Sequence, residues 1–112
     1  MENANNHSVV FVTIDSLESA KRMSRVIVNE KLAACCTIIP NAISIYGWKG
    51  SLHERNELVL MIKTLESKLI ELKDRILELH NDEVPEIISI NLNSGLSSYL
   101  SWISTSLLED NE

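Results

Sequence analysis

The sequence predicts an α+β domain in which two helices cover one face of an antiparallel sheet. Apolar runs of strand length alternate with helical patterns in the order β-α-β-β-α-β, and a tight turn joins the two central strands. This order is that of the ferredoxin-like split βαβ arrangement, with a further helix at the C-terminal end. Because no helix remains for the other face of the sheet, we expect identical copies of the chain to cover it.

The N-terminal third predicts the first strand and the first helix. Residues 9–14 are apolar and mostly β-branched, which is typical of a buried strand. Asp15 follows at a position where its carboxylate can cap a helix, with Glu18 at the capping-box position. The helix has apolar residues at helical spacing, and they form one stripe: Leu17, Ala20, Met23, Ile27 and Leu32.

The central segment predicts two unusually long strands that form one hairpin. The first covers residues 33–49, and Pro40 marks an edge or a bulge because proline has no amide proton. Gly50 and Ser51 are predicted to form the turn. Strands of this length extend beyond the core that 112 residues can build. Part of the hairpin is therefore expected to contact another subunit.

The C-terminal half predicts a helix, a strand and a short final helix. Residues 66–80 carry leucines and isoleucines at helical spacing, residues 86–92 alternate as a strand, and residues 96–108 form the last helix. We expect one domain over residues 8–108, a disordered or frayed N-terminus at residues 1–7 and a polar tail at residues 109–112.

Composition and charge exclude several classes of function. The formal net charge is −6 without a cluster of Lys or Arg, which argues against nucleic acid and anionic membranes as partners. No apolar run is long enough to span a membrane, and the first residues do not have the pattern of a signal peptide. Phosphate-binding loops, nucleophile elbows and zinc-protease motifs do not occur. We therefore expect a cytoplasmic protein that is not an enzyme.

The two cysteines, Cys35 and Cys36, are adjacent in the sequence. Neighbouring side chains on a strand point to opposite faces, so these two thiols cannot readily form a disulfide with each other. Thiolates can bind soft metals, but free cysteines more often behave as small buried hydrophobic residues. We favour the buried interpretation.

Five short segments, in this order, resemble the CutA divalent-cation-tolerance family: residues 30–35, residues 46–50, Glu57 with Lys63 and Thr64, residues 84–87, and residues 99–102. The resemblance implies a ferredoxin-like protomer in a compact homotrimer whose hairpin strands pair across subunits. It also implies an association with copper and other divalent cations. Some bacterial members carry a cysteine on the first strand, where this chain has Val12. The family has no well-defined reaction, and none is carried over to this chain.

His80 and Glu86 are the candidate metal ligands, because imidazole and carboxylate both suit copper or zinc. Two ligands are too few for a tight site, so a third must come from Asp82, Glu83 or a neighbouring subunit. The alternative is structural. In that interpretation His80 caps a helix C-terminus, and Glu86 faces water or pairs at the start of the last strand.

A second candidate set combines aromatic walls with charged groups: Tyr46, Trp48, Glu57, Lys63 and Trp102. In a ligand pocket, Lys63 would hold an anion and Trp102 would close the wall. The alternative is a trimer interface, with an ion pair between Glu57 and Lys63 of different subunits. The first functional hypothesis is a homotrimer for divalent-cation tolerance that binds copper or another divalent cation weakly. The others are a ligand sensor like the trimeric PII proteins and a structural or anchoring trimer without a ligand.

Overall fold

The computed structural model describes residues 1–108. Its main elements, in chain order, are β1 (His7–Ile14), α1 (Leu17–Asn29), β2 (Cys35–Trp48), β3 (Ser51–Leu65), a short 3-10 turn (Glu66–Lys68) that leads into α2 (Leu69–Leu79), β4 (Ile87–Asn91) and α3 (Ser97–Ser106). The sheet has the strand order β2-β3-β1-β4, and all neighbouring strands are antiparallel. The predicted ferredoxin-like α+β order is confirmed.

The main hydrophobic core lies between one face of the sheet and the helices α1 and α2. Alternate residues of β1 and β3 supply the sheet side, and the helix stripes supply the other: Val10, Val12, Ile14, Leu58, Leu60, Ile62, Ala20, Met23, Ile27, Leu72 and Ile76. This arrangement follows from the two-residue period of strands and the 3.6-residue period of helices. A smaller cluster of Ala34, Ile103 and Leu107 fixes α3, with Leu65 packed against it.

Helix α1 begins one residue later than the capping prediction places it. The hydroxyl oxygen of Ser16, not the carboxylate of Asp15, accepts a hydrogen bond from the Ser19 backbone N–H at 3.1 Å. Leu17 is therefore the first helical residue, and it lies largely exposed instead of joining the buried stripe. Asp and Ser are both residue types that cap helices well, so the sequence pattern alone did not distinguish Asp15 from Ser16.

The hairpin is long, as predicted, but its first strand begins two residues later than predicted and its turn lies one residue earlier. Trp48 pairs with Ser51, so Lys49 and Gly50 form a two-residue loop in which both φ angles are positive, at 50° and 80°. Such loops match the twist of the flanking strands, and glycine adopts the required conformation at little cost. The predicted irregularity at Pro40 is confirmed as a shift of register between Ile39 and Ala42 on the edge strand β2.

The N-terminal segment differs from the frayed terminus that its polar composition predicts. Glu2 pairs with Gly95 and Asn3 with Ser94, and the Ala4 N–H donates to the Asn93 carbonyl oxygen at 3.0 Å. Ala4 is buried. The polar side chains conceal this attachment from the sequence, because backbone groups make the bonds. The predicted polar tail at residues 109–112 lies outside the described residues.

The second face of the sheet is only partly covered. Phe11 of β1 lies directly opposite Met61 and Ile88 in the two neighbouring strands, so these three side chains share that face. Ile88 and Ile90 are more than half exposed on the outer strand β4. The described residues thus leave apolar surface open on the face that α1 and α2 do not cover.

Candidate functional site

A cavity of about 500 Å³ lies between the hairpin and the loop that joins α2 to β4. Strands β2 and β3 supply one wall, the end of β1 supplies part of the floor, and the loop closes the other side. Its lining residues are Thr13, Ser44, Ile45, Tyr46, Trp48, Arg55, Glu57, Asp82, Glu83, Val84 and Glu86. This volume is within the range of small-molecule sites.

An ion-paired triad forms the polar part of the cavity. The Arg55 guanidinium donates from Nη2 to Glu57 Oε1 at 2.5 Å and to Asp82 Oδ2 at 2.7 Å, and from Nη1 to Asp82 Oδ1 at 3.2 Å. Glu57 is only 4% exposed, so its carboxylate requires this cation. Hydrogen bonds from Arg55 hold the pKa of Asp82 below its usual value. The Asp82 and Glu57 carboxylates, in turn, raise the pKa of Arg55.

His80 supports the triad from the C-terminal end of α2. Its Nε2 atom lies 2.7 Å from the Thr13 carbonyl oxygen, and its Nδ1 atom lies 3.0 Å from the Asp82 backbone nitrogen. A carbonyl can only accept and an amide can only donate, so the proton of the neutral ring is on Nε2. Both ring nitrogens therefore hold the backbone around the loop.

The candidate metal pair is not assembled into a dense ligand set. Glu86 lines the cavity, but the Nδ1 lone pair of His80 is already used by the Asp82 N–H. Within residues 1–108, no group of three or more His, Cys, Asp or Glu side chains is arranged to hold a metal ion. Val12 is fully buried in the core. His80 occupies the C-cap position of α2, but its side chain contacts the Thr13 carbonyl and the Asp82 N–H and not the last carbonyls of the helix.

The structure divides the second candidate set into two places. Tyr46, Trp48 and Glu57 line the cavity, whereas Lys63 and Trp102 are not among its lining residues. Lys63 is six residues from Glu57 on the same strand, a separation of about 20 Å. An ion pair between these two residues is therefore not formed within one chain.

Lys63 belongs to a separate polar group near α3. Its ammonium donates to the Thr37 hydroxyl and lies 4.0 Å from Cys35 Sγ. Burial raises the pKa of Tyr99, with a smaller contribution from Cys35, and the Tyr99 ring stacks on Trp102 with centroids 5.6 Å apart. Both cysteines are free.

The sequence interpretation did not find Arg55 and considered Asp82 only as an additional metal ligand. The spacing of Arg55 and Glu57, two residues apart on one strand, places both on the same face and is a local signal for the pair. The contact of Arg55 with Asp82 spans 27 residues and has no local signal.

The two aromatic residues that line the cavity, Tyr46 and Trp48, already contact aromatic and charged side chains of the chain itself. Tyr46 stacks on His53 across the hairpin, with centroids 5.5 Å apart. Lys49 Nζ lies 5.8 Å from the Trp48 ring centroid and 4.0 Å from Glu83 Oε1. The indole face and a carboxylate at the cavity are therefore within reach of one ammonium group.

These features define a class of protein: a ferredoxin-like domain with a projecting hairpin and an acidic, aromatic-walled cavity at the α2–β4 loop. Residues 8–106 match the family model described as CutA1 divalent ion tolerance protein. The chain therefore belongs to the CutA1 family, as the five sequence segments predicted.

Relatives from bacteria and vertebrates support the assignment. A divalent-cation tolerance protein CutA of Thermus thermophilus is 40% identical over 85% of this chain and 92% of its own length. A CutA homolog of Xenopus laevis is 43% identical over 86% of this chain and 64% of its own length. The chain spans only 57% of the rice relative and 54% of the Arabidopsis relative, both described as chloroplastic.

Solved structures of the family have the same fold. CutA from Xylella fastidiosa superposes with a TM-score of 0.89 at 38% identity, covering 91% of this chain and 98% of that one. CutA1 from Oryza sativa gives 0.90 at 37% identity, covering 96% and 98%. The family model and the Thermus thermophilus relative are named for tolerance to divalent cations, and neither name states a reaction. Over the described residues, no helix is long and apolar enough to cross a membrane.

Proposed function

We propose that this chain contributes to divalent-cation tolerance as a cytoplasmic homotrimer that binds copper or another divalent cation weakly. The observation that carries this proposal, beside family membership, is the charge of the cavity. Four carboxylates line it, at Glu57, Asp82, Glu83 and Glu86, against one guanidinium. A concave site with this excess of negative charge concentrates cations from solution.

The geometry supports weak coordination at the cavity mouth. Arg55 is paired with both Glu57 and Asp82, whereas Glu83 and Glu86 are exposed and have no ion pair with it. A cation held by one or two carboxylates keeps most of its water ligands, and its affinity is correspondingly low. His80 would join only if its Nδ1 atom released the Asp82 N–H.

Calorimetric titration with Cu²⁺ and with Zn²⁺ tests the metal proposal. We expect a dissociation constant on the order of 100 μM, weakened several-fold in Glu86→Gln because a carboxylate ligand is lost. Glu71→Gln removes an exposed carboxylate of α2 and is the matched control. An absence of heat with both ions, or an equal effect of the two variants, would contradict the proposal.

Assembly is supported by the apolar surface of the hairpin and of the outer strand. Ile43 and Ile45 are each more than 60% exposed on β2, and Ile88 and Ile90 are exposed on β4. Exposed apolar residues in such numbers are typical of an interface. We expect light scattering to give a trimer mass at micromolar concentration, reduced in Ile45→Glu but not in the α2 control Leu77→Glu. A monomer mass for the unmodified chain would contradict the proposal.

The cavity also favours a second function, the binding of a small ligand as in a trimeric sensor. Its volume and its two aromatic side chains, Tyr46 and Trp48, are the observations that favour it. Lys63 lies outside this cavity, so an anion held by Lys63 is not the ligand that this site would bind. A thermal-shift screen with metabolites tests this function, because a bound ligand raises the melting temperature. A rise that is lost in variants of the cavity residues indicates ligand binding, and a purely structural trimer shows no rise.

A further inference from the structure

The Arg55 guanidinium lies where two carboxylates of the cavity converge. Its Nη2 atom donates to Glu57 Oε1 at 2.5 Å and to Asp82 Oδ2 at 2.7 Å. Because both oxygens bond the same nitrogen atom, they are no more than roughly 5 Å apart. Glu57 belongs to β3, whereas Asp82 lies in the loop between α2 and β4. One positive group therefore holds the hairpin and this loop together.

A divalent cation needs its carboxylate oxygens at nearly the separation that Arg55 already imposes. Such oxygens lie about 2.0–2.4 Å from the ion, so two that share one ion are at most about 4–5 Å apart. The Glu57 side chain is only 3% exposed, and its carboxylate requires a positive partner because little water reaches it. An ion between Glu57 and Asp82 meets this requirement as the guanidinium does, with water as its remaining ligands.

The contact is open to exchange from the cavity. The Arg55 side chain is 34% exposed and that of Asp82 is 23% exposed, so solvent reaches the outer half of the triad. Glu83 and Glu86 line the same cavity and are themselves exposed, so a cation that enters meets their carboxylates first. The guanidinium is then the group that stands between this cation and the buried carboxylate.

We propose that Arg55 is an internal competitor of divalent cations: its guanidinium occupies the position between the Glu57 and Asp82 carboxylates, and this contact keeps the affinity of the cavity low. The inference rests on the proposed function, because it concerns the same cation and the same cavity. It adds a regulating contact to that function, since a cation that displaces Arg55 also releases the α2–β4 loop from the hairpin.

A purely structural role of Arg55 makes a different prediction. If the guanidinium only stabilises the buried Glu57 carboxylate, its removal destabilises the fold and leaves the affinity for cations unchanged. If it competes, its removal leaves two convergent carboxylates for the cation, and the affinity rises. The measurement that separates the two roles is therefore cation binding by a variant without Arg55, compared with a variant that loses a different guanidinium.

Calorimetric titration of the full chain with Zn²⁺ tests the competition. We expect Arg55→Met to bind at least about tenfold more tightly than the unmodified chain, with a dissociation constant on the order of 10 μM or below. Arg75→Met is the matched control, because the Arg75 guanidinium also bonds two carboxylates and its loss changes the net charge equally. Those carboxylates, on Glu30 and Glu78, are 41% and 66% exposed, so the affinity should stay within about twofold.

Two further variants locate the effect at the triad. Arg55→Lys keeps the positive charge and should keep the zinc affinity within about threefold of that of the unmodified chain. Arg55→Met combined with Glu57→Gln removes the buried carboxylate and should lose the gain in affinity. If Arg55→Met is partly unfolded, zinc should raise its folded fraction in circular dichroism, because the ion binds the folded state, and should not do so in the double variant.

Several results would overturn the competition. These are a zinc affinity of Arg55→Met within about twofold of that of the unmodified chain, an equal gain in Arg75→Met, and a gain that persists in the double variant. A partly unfolded Arg55→Met that zinc does not refold would do the same. The proposed function fails on a different result, which is an absence of binding by the unmodified chain. Zinc binding by Arg55→Met beside a silent unmodified chain would contradict that function and support the competition.

Discussion

Removing the Arg55 guanidinium should destabilise the protein because it leaves the buried Glu57 carboxylate without a cation. The Glu57 side chain is 3% exposed, and within residues 1–108 its carboxylate is hydrogen-bonded to Arg55 alone. Breaking a buried ion pair by removing one member costs about 3–5 kcal/mol. Arg55 itself is 34% exposed, so water screens part of this pair. We therefore expect Arg55→Met to lower the free energy of unfolding by about 2–3 kcal/mol.

Urea denaturation at one fixed protomer concentration measures this loss, because assembly makes the apparent stability depend on concentration. The double variant Arg55→Met with Glu57→Gln should recover about half of it, since an amide is less costly to bury than an unpaired charge. Arg75→Met is the control: its partner Glu30 is exposed, and we expect a much smaller loss. A loss below about 0.5 kcal/mol in the single variant, or no recovery in the double variant, would refute the reasoning.

Three further predictions concern packing and pH. A Cβ on Gly95 would lie 2.9 Å from a Leu100 methyl carbon, whereas a Cβ on Gly47 would meet no atom within 4 Å. Gly95→Ala should therefore lower the free energy of unfolding in urea by about 1 kcal/mol, and Gly47→Ala should lower it less. Equal losses would contradict this. Burial raises the pKa of Cys36 from 9.0 to about 12, so the unfolded chain ionises first and stability should fall as pH rises above 9, except in Cys36→Ala. Arg55 lowers the pKa of Asp82, so the ionised Asp82 carboxylate should contribute fully to stability above pH 3.8. This contribution should be lost as the pH falls below 3.8 in an acid titration of unfolding, and the dependence of stability on pH should be smaller in Asp82→Asn.

Much of the fold was predictable because local patterns encode it. Strand and helix periods placed the core faces of β1, β3 and α2, and the missing amide proton of Pro40 located the bulge. Two errors were shifts of a single residue, at the cap of α1 and at the hairpin turn, and a third was the N-terminal segment, which pairs with residues 94 and 95 instead of fraying. Neighbouring residues of similar chemistry compete at such points, and packing of the whole helix or strand decides between them.

The candidate site was predicted only in part. Tyr46, Trp48 and Glu57 lie at alternating positions of neighbouring strands, and in the structure all three line the cavity. Lys63 and Trp102 were grouped with them by chemistry, but distance along β3 separates them. Residue type alone does not measure distance, so the chemical grouping included residues from two places.

The sequence by itself determined the α+β class, the order of the elements, the long hairpin and the family. Each of these depends on periodicity or on short ordered motifs, which a chain carries locally. Only the tertiary structure decided that Arg55 is hydrogen-bonded to both Glu57 and Asp82. The same is true of His80, whose two ring nitrogens both contact backbone groups. Those contacts form when the α2–β4 loop packs against β1 and β3, and a contact across 27 residues has no period to reveal it.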